Sequence, residues 1–136
     1  MAAVQYLLDT NTVSAVMRGH AGVDARLLGL DPAKWAISAV THAEIRYGLA
    51  LRPQATRRAR AAAAFFTVAT TLPWDVAAAD AHGSLRAALR QAGTPIGDFD
   101  EMIAAHALAL GVVLVTDNTR HFERVQGLVL ENWVRG

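Results

Sequence analysis

One short apolar segment near the C-terminal end constrains the fold more than any other. Residues 112–115 read Val-Val-Leu-Val, come directly after Gly111 and end at the polar pair Thr116 and Asp117. β-Branched residues favour strands, and an apolar run without alternation is typical of a strand that is buried on both faces. Such strands occur in parallel sheets that helices cover on both sides. The segment therefore predicts an α/β fold.

The rest of the chain alternates between β-prone runs and segments with helical periodicity. Four further strands are predicted, at 4–8, 35–38, 70–72 and 128–130. Helices are predicted at 13–17, after the capping residues 9–12, and at 23–30, 40–51, 56–66, 76–92, 99–110 and 120–125, several of them ending at Gly or Pro. This order predicts one domain over residues 1–136, an α/β fold with a central, mostly parallel sheet flanked by helices.

Composition excludes several classes of protein. The chain is 53% hydrophobic and 18% charged, which is too apolar for intrinsic disorder. It has no cysteine, so a disulfide scaffold and a zinc–thiolate site are excluded, and the cytoplasm is the expected compartment. The start of the chain lacks the basic region of a signal peptide, and the longest apolar stretch, 102–115, is shorter than the roughly 20 residues that span a bilayer. We expect a soluble protein with no membrane partner.

Arginine dominates the positive charge. The net charge is +1, and Lys34 is the only lysine among the 13 basic residues. The densest basic stretch contains Arg52, Arg57, Arg58 and Arg60. These side chains form either a solvated helix face or a contact surface for RNA phosphates or a partner protein, and the arginine content could also reflect a GC-rich genome.

Carboxylates lie where several predicted elements begin or end. Asp9 and Asp117 each follow a predicted parallel strand, at the sheet edge where α/β proteins bind ligands. Glu44 lies in the helix that leaves the second strand, and Asp100 lies in the first turn of helix 99–110. Acids that converge there would raise one another's pKa unless a divalent cation compensates, and oxygen ligands favour Mg²⁺ or Mn²⁺. Such an ion can activate water against a phosphodiester, so hydrolysis of a nucleic-acid backbone is the expected chemistry.

Each acid also has a structural interpretation. Asp9 and Asp117 could cap the helices that follow them, Glu44 could face solvent, and Asp100 would favour its helix dipole without any metal. Sequence alone leaves these alternatives open.

Other polar residues have simpler predicted roles. Asp98 and Glu101 have the spacing of a capping box, which favours a structural role for Asp98. His106 shares a helix face with apolar residues and is predicted to be a buried core histidine. His42 and His121 lie near Glu44 and Asp117 in sequence and are interpreted either as incidental or as substrate contacts.

A set of motifs extends over nearly the whole chain. They are Leu7-Leu8-Asp9-Thr10-Asn11; Ser38-Ala39-Val40-Thr41 with Glu44 and Tyr47-Gly48; Thr94-Pro95-Ile96-Gly97 with Phe99-Asp100 and Ile103-Ala104-Ala105-His106-Ala107; Val115-Thr116-Asp117-Asn118 with Phe122; and the closing Gly127-Leu128 and Glu131-Asn132-Trp133. Together they resemble the PIN-domain ribonuclease toxins of VapC type. The resemblance implies a PIN-like fold and the activity of a metal-dependent endoribonuclease, usually a homodimer, that a cognate VapB antitoxin neutralises. The end of the chain is most similar to the branch that cuts initiator tRNA in its anticodon loop.

The resemblance also implies roles for individual residues. Asp9, Glu44 and Asp100 correspond to the acidic residues of the metal site, and three neighbours are expected to support them: Thr10, Asn11 and Thr116. The family's fourth acid follows the strand in a Thr-x-Asp pattern, whereas that position here is Asn118 and Asp117 comes one residue early. Whether Asp117 or Asn118 contributes to a second metal position is therefore left open.

Two other functions fit the sequence less well than a metal-dependent ribonuclease does. A PIN-like module that acts mainly by binding RNA or an antitoxin would not need its acids, and the presence of all three favours the enzyme. A haloacid-dehalogenase-type phosphatase would need an acid where Asn11 stands and a lysine later in the chain than Lys34.

Overall fold

The computed structural model describes residues 3–136 and contains a parallel sheet of five strands. The strands are β1 (Tyr6–Leu8), β2 (Trp35–Ser38), β3 (Thr71–Leu72), β4 (Val113–Val115) and β5 (Leu130–Glu131). Their order is β3-β2-β1-β4-β5, and every neighbouring pair is parallel. The predicted PIN-like arrangement of a central parallel sheet is confirmed.

Helices cover both faces of the sheet. They are α1 (Thr10–Met17), α2 (Ala21–Leu28), α3 (Ala39–Leu51), α4 (Thr56–Val68), α5 (Val76–Gln91), α6 (Asp98–Leu110) and α7 (Thr119–Phe122), with one 3₁₀ turn at Pro32–Lys34. Within residues 3–136, no helix combines the length and the apolar character that crossing a bilayer requires.

Successive residues of the central strand serve two separate cores, because side chains alternate across a strand. Leu7 belongs to the core under α5 and α6, together with Leu114 and Ile103. Leu8 belongs to the opposite core, together with Val115 and Val13 of α1. All of these side chains are fully buried, so a shift of one residue in the register of β1 would exchange the two cores.

The start of α6 differs from the predicted capping box. The N-cap is Gly97, which adopts a φ of 101° and has no side chain with which to cap the helix, and Asp98 is the first helical residue. Asp98 instead pairs with Arg86 at 3.3 Å. Glu101 does reach back, since its Oε2 accepts a hydrogen bond from the Ile96 N–H at 3.2 Å. The capping-box prediction was therefore wrong for Asp98.

His106 is a core residue, as predicted. It is 2% exposed, and its Nδ1 shares a hydrogen bond of 2.8 Å with the Oγ of Ser38, which is completely buried. Ser38 also caps α3 by accepting a bond from the Val40 N–H at 3.1 Å. The pair joins the end of β2 to the middle of α6.

Burial lowers the pKa of His106 below its usual value near 6.5, with the charge of Asp75 acting in the opposite direction. The unfolded chain therefore takes up a proton as the pH falls through 6.5 while the folded ring resists it, so the folded state loses stability. We expect His106→Asn, which cannot titrate, to lack this loss. Between pH 7.5 and 5.5 the wild type should lose up to about 1.4 kcal/mol more than the variant in urea unfolding. Parallel pH profiles would contradict the assignment.

Candidate active site

Asp9 lies at the end of β1 and is the N-cap of α1. Its Oδ1 accepts a hydrogen bond from the Thr12 N–H at 2.8 Å, and the Thr12 hydroxyl donates to the Val115 carbonyl at 3.0 Å. These bonds fix the turn after β1 against the end of β4. Asp9 is 2% exposed, and burial raises its pKa although hydrogen bonds with Thr116 and Thr12 act in the opposite direction. Capping alone does not explain why a carboxylate stands in a site that disfavours its charge.

Glu44 projects from α3 towards the start of α1. The Thr10 hydroxyl donates to its Oε1 at 2.6 Å and contacts the Thr41 hydroxyl at 3.3 Å. The structure thus brings Glu44 beside the residue that follows Asp9 in the chain. Thr10 orients the Glu44 carboxylate, and the two are half-buried together rather than turned to solvent.

Asp100 completes a group of three carboxylates. It lies half-buried in the first turn of α6, and burial is the largest cause of its raised pKa. The charges of Asp9 and Glu44 raise that pKa further, while the charge of His121 lowers it. Asp100 therefore lies near enough to Asp9 and to Glu44 for the charges to interact. A shared metal site at this edge of the sheet stays a prediction.

Asp117 has a structural role. Its Oδ1 accepts a hydrogen bond from the Asn132 amide at 3.0 Å and pairs with the Arg135 Nε at 3.0 Å, so it holds the C-terminal segment. The N-cap of α7 is Asn118, and its side chain makes no capping bond. The interpretation of Asp117 as a helix cap was therefore wrong, because the C-terminal segment engages its carboxylate. Asp117 still lies near enough to raise the pKa of Asp9 slightly.

The remaining predicted residues frame the acids. Thr116 is completely buried, and its hydroxyl hydrogen-bonds with Asp9 and accepts a bond of 3.0 Å from the Asn118 N–H. Asn11 and Asn118 are exposed and line a polar groove of about 340 Å³ together with Arg18. Asp117 also lines this groove.

A second groove, of about 860 Å³, lies between the end of α1 and the start of α4. Of the four arginines in the predicted basic stretch, Arg57 and Arg58 line it, and Arg18 joins it to the polar groove. Arg52 and Arg60 are exposed but lie outside its walls. The three acids are not part of its lining, so any role of this basic groove is in binding rather than in chemistry.

The contact between His121 and Asp100 was not predicted from the sequence. The structure places the His121 Nε2 at 3.2 Å from the Asp100 Oδ2 and 2.6 Å from the Ile96 carbonyl oxygen. The two residues lie on different helices, and only the packing of α7 against the start of α6 brings them together. No spacing rule could have found this contact.

The acids fit a hydrated divalent cation. Among residues 3–136, no group of three or more acidic or histidine side chains stands in a metal-binding arrangement. Mg²⁺ keeps several waters and commonly takes one or two carboxylates from a protein, so it does not need such a group. The donors are oxygens, and a cation would relieve the burial and repulsion that raise the pKa of Asp9 and Asp100. Asp9, Glu44 and Asp100 are the residues that would hold it.

Known proteins resemble this chain over most of its length. The PIN domain family matches residues 6–128 of the chain. The tRNA(fMet)-specific endonuclease VapC of Shigella flexneri is 37% identical over 130 residues, which cover 96% of this chain and 98% of that protein.

Solved structures show the same fold. A DNA-bound VapBC complex from Salmonella typhimurium contains a chain with a TM-score of 0.89 and 34% identity, with 96% of this chain and 98% of that chain covered. VapBC2 from Rickettsia felis, bound to a DNA fragment from its promoter, gives a TM-score of 0.88 and 30% identity, with 96% and 99% covered. With its acids at the carboxyl edge of a parallel sheet and relatives that match from end to end, the chain belongs to the VapC family of PIN-domain ribonucleases.

Proposed function

We propose that this protein is the toxin of a VapBC pair and a Mg²⁺- or Mn²⁺-dependent endoribonuclease, with Asp9, Glu44 and Asp100 as its catalytic residues. The observation that carries the proposal is the convergence of these three carboxylates, since the charges of two of them raise the pKa of the third. A solvated or purely capping role would not require acids from three elements to share one place.

The chain's own residues prepare the site before any substrate arrives. The Thr12 N–H holds Asp9, and the Thr10 hydroxyl holds Glu44, so two carboxylates keep fixed directions. The bound cation would activate a water molecule and neutralise the negative charge that develops on the phosphate in the transition state. We also propose a second cation position beside Asp117 and Asn118. Asn118 is the more accessible ligand of the two, because the Asp117 carboxylate already holds the C-terminal segment.

The proposed substrate is structured RNA, and initiator tRNA cut in its anticodon loop is the specific candidate. A relative with 37% identity over 96% of this chain carries the name tRNA(fMet)-specific endonuclease. The groove lined by Arg18, Arg57 and Arg58 supplies the positive charge that a polyanion needs beside an acidic site.

The proposed partners follow from the same relatives. Chains with this fold occur in VapBC complexes, so we propose a VapB-type antitoxin as the neutralising partner. The family resemblance is the support for a homodimer as the basic assembly. We place the activity in the cytoplasm, where tRNA is available.

The proposal is tested by incubating the purified protein with initiator tRNA and with an elongator tRNA as the matched control. We expect a cut in the anticodon loop of the initiator tRNA with Mg²⁺ or Mn²⁺, and none with EDTA or with the Glu44→Gln variant. Cleavage that EDTA leaves unchanged would overturn the metal site. Binding of tRNA without any cleavage would favour the alternative of a catalytically weak module that acts by binding RNA or the antitoxin.

Removing two arginines of the basic groove should weaken RNA binding but not chemistry. We expect the double variant Arg57→Ala, Arg58→Ala to raise KM about tenfold and to leave kcat within about twofold. The slope of log affinity against log salt concentration should fall by the equivalent of roughly two phosphate contacts. Arg90→Ala on α5, which covers the other face of the sheet, is the matched control and should behave as the wild type. An unchanged KM in the double variant would exclude this groove as an RNA contact.

A further inference from the structure

The imidazole of His121 stands between two acceptors. Its Nε2 lies 2.6 Å from the Ile96 carbonyl oxygen and 3.2 Å from the Asp100 Oδ2. A carbonyl and a carboxylate can only accept, so Nε2 must carry the hydrogen. That hydrogen is present both in the neutral tautomer protonated at Nε2 and in the imidazolium, so the contact does not depend on the charge of the ring. A nitrogen that donates in this way cannot at the same time ligate a metal.

The backbone of Ile96 is held both at its N–H and at its carbonyl oxygen. Glu101, inside α6, accepts from its N–H at 3.2 Å, and His121 donates to its carbonyl oxygen. The Ile96 side chain is 4% exposed, and Gly97, with its positive φ, turns the chain into α6 directly afterwards. The first turn of α6, which contains Asp100, therefore starts from a fixed point that α7 helps to define.

We propose that His121 is a positioning residue: its Nε2–H is hydrogen-bonded to the Ile96 carbonyl and lies 3.2 Å from the Asp100 Oδ2, which it attracts, so that Oδ1 is the oxygen that Asp100 offers to a divalent cation. The proposal rests on the proposed metal site. Partners that orient ligating carboxylates commonly contribute 10- to 100-fold to metal affinity or activity. His121 would thus act on catalysis through Asp100, without touching the reacting atoms.

The test separates the donated hydrogen bond from the volume of the ring. His121→Gln places an amide N–H near the position of Nε2, whereas His121→Phe keeps a ring against Phe122 but has no donor. Mn²⁺ binding to the full-length protein is measured from the EPR signal of free Mn²⁺, alongside melting temperature in EDTA and RNA cleavage. We expect His121→Phe to weaken Mn²⁺ binding about 10- to 100-fold, and His121→Gln to stay within about threefold of the wild type.

Arg124→Ala is the matched control. It removes the other side-chain bond from this end of the chain to the loop, from the Arg124 Nη1 to the Pro95 carbonyl at 3.3 Å, and leaves His121 in place. We expect it to bind Mn²⁺ as the wild type does. If His121→Phe does not fold, His121→Asn, whose amide reaches only to the position of Nδ1, provides the same loss of donor.

Three results would overturn the proposal. Equal Mn²⁺ binding by the wild type and His121→Phe overturns it while leaving the proposed function intact. Equal weakening in His121→Gln and His121→Phe shows that the ring, and not the donated bond, is what matters. Absence of Mn²⁺ binding by the wild type overturns the metal site, and this proposal with it.

Discussion

Replacing Asp9 by asparagine is expected to abolish RNA cleavage and, at the same time, to make the metal-free protein more stable. Asparagine is as good an N-cap as aspartate, so the bond from the Thr12 N–H survives. The substitution removes the negative charge of Asp9. That negative charge is unfavourable in the folded state, because the side chain is buried and the charge of Asp117 is nearby. A purely structural aspartate would show no such opposition between activity and stability.

The expected magnitudes are large enough to measure separately. Cleavage in single-turnover assays should fall at least about 1,000-fold, which corresponds to roughly 4 kcal/mol of transition-state stabilisation. The free energy of unfolding in EDTA should rise by about 1 kcal/mol, or roughly 4 °C in melting temperature for a domain of this size. Asp80→Asn, which removes an exposed carboxylate on α5, is the matched control and should change neither property appreciably.

The raised pKa of Asp9 also determines how the stability of the metal-free protein changes with pH. The pKa of Asp9 is raised above 3.8, so the metal-free wild type gains stability from this group as the pH falls from neutrality through the raised value. The asparagine variant should lack this gain. A variant that melts lower than the wild type in EDTA, or that still cuts RNA at the wild-type rate, would contradict the role assigned to Asp9.

Divalent cations are expected to stabilise the wild-type protein strongly. An ion that binds only the folded state at a hundredfold excess over its Kd adds about 2.7 kcal/mol to the free energy of unfolding. For a domain of this size that is roughly a 10 °C rise in melting temperature. The physical reason is that the cation offsets both the burial and the mutual repulsion that raise the pKa of Asp100.

The Asp9→Asn variant tests whether the stabilising cation binds at the proposed site. Mn²⁺ or Mg²⁺ should stabilise the variant far less than the wild type, and potassium chloride of equal ionic strength should stabilise neither. An equal shift in both proteins would place the ion elsewhere on the surface. The absence of any shift in the wild type would remove the metal from the account.

The fold was predictable because its signals are local. The apolar run at 112–115 has the composition of a doubly buried strand, and Leu7 and Leu8 do face opposite cores. The edge at which Asp9 appears follows from strand direction alone, because parallel strands end on the same side. Helix boundaries were less accurate: α2 starts at Ala21 rather than at 23 because the His20 side chain caps it.

The contacts that tune the site were not predictable, because they depend on packing between distant segments. Nothing local shows that the Thr10 hydroxyl reaches Glu44, or that His121 reaches Asp100 rather than Asp117. Asp117 illustrates the converse, since its position after β4 is right for a ligand but the C-terminal segment engages its carboxylate. Position along the chain selects the candidate acids, and tertiary contacts distinguish Asp117, which holds the C-terminal segment, from the other three.

The most direct test is anomalous diffraction at the manganese edge from crystals of the wild-type protein soaked in Mn²⁺. The account predicts an anomalous peak among the carboxylates of Asp9, Glu44 and Asp100, and its loss in crystals of the Asp9→Asn variant. A peak bound only elsewhere on the surface, or no peak in crystals that diffract well, would contradict the claim that these three acids form one cation site.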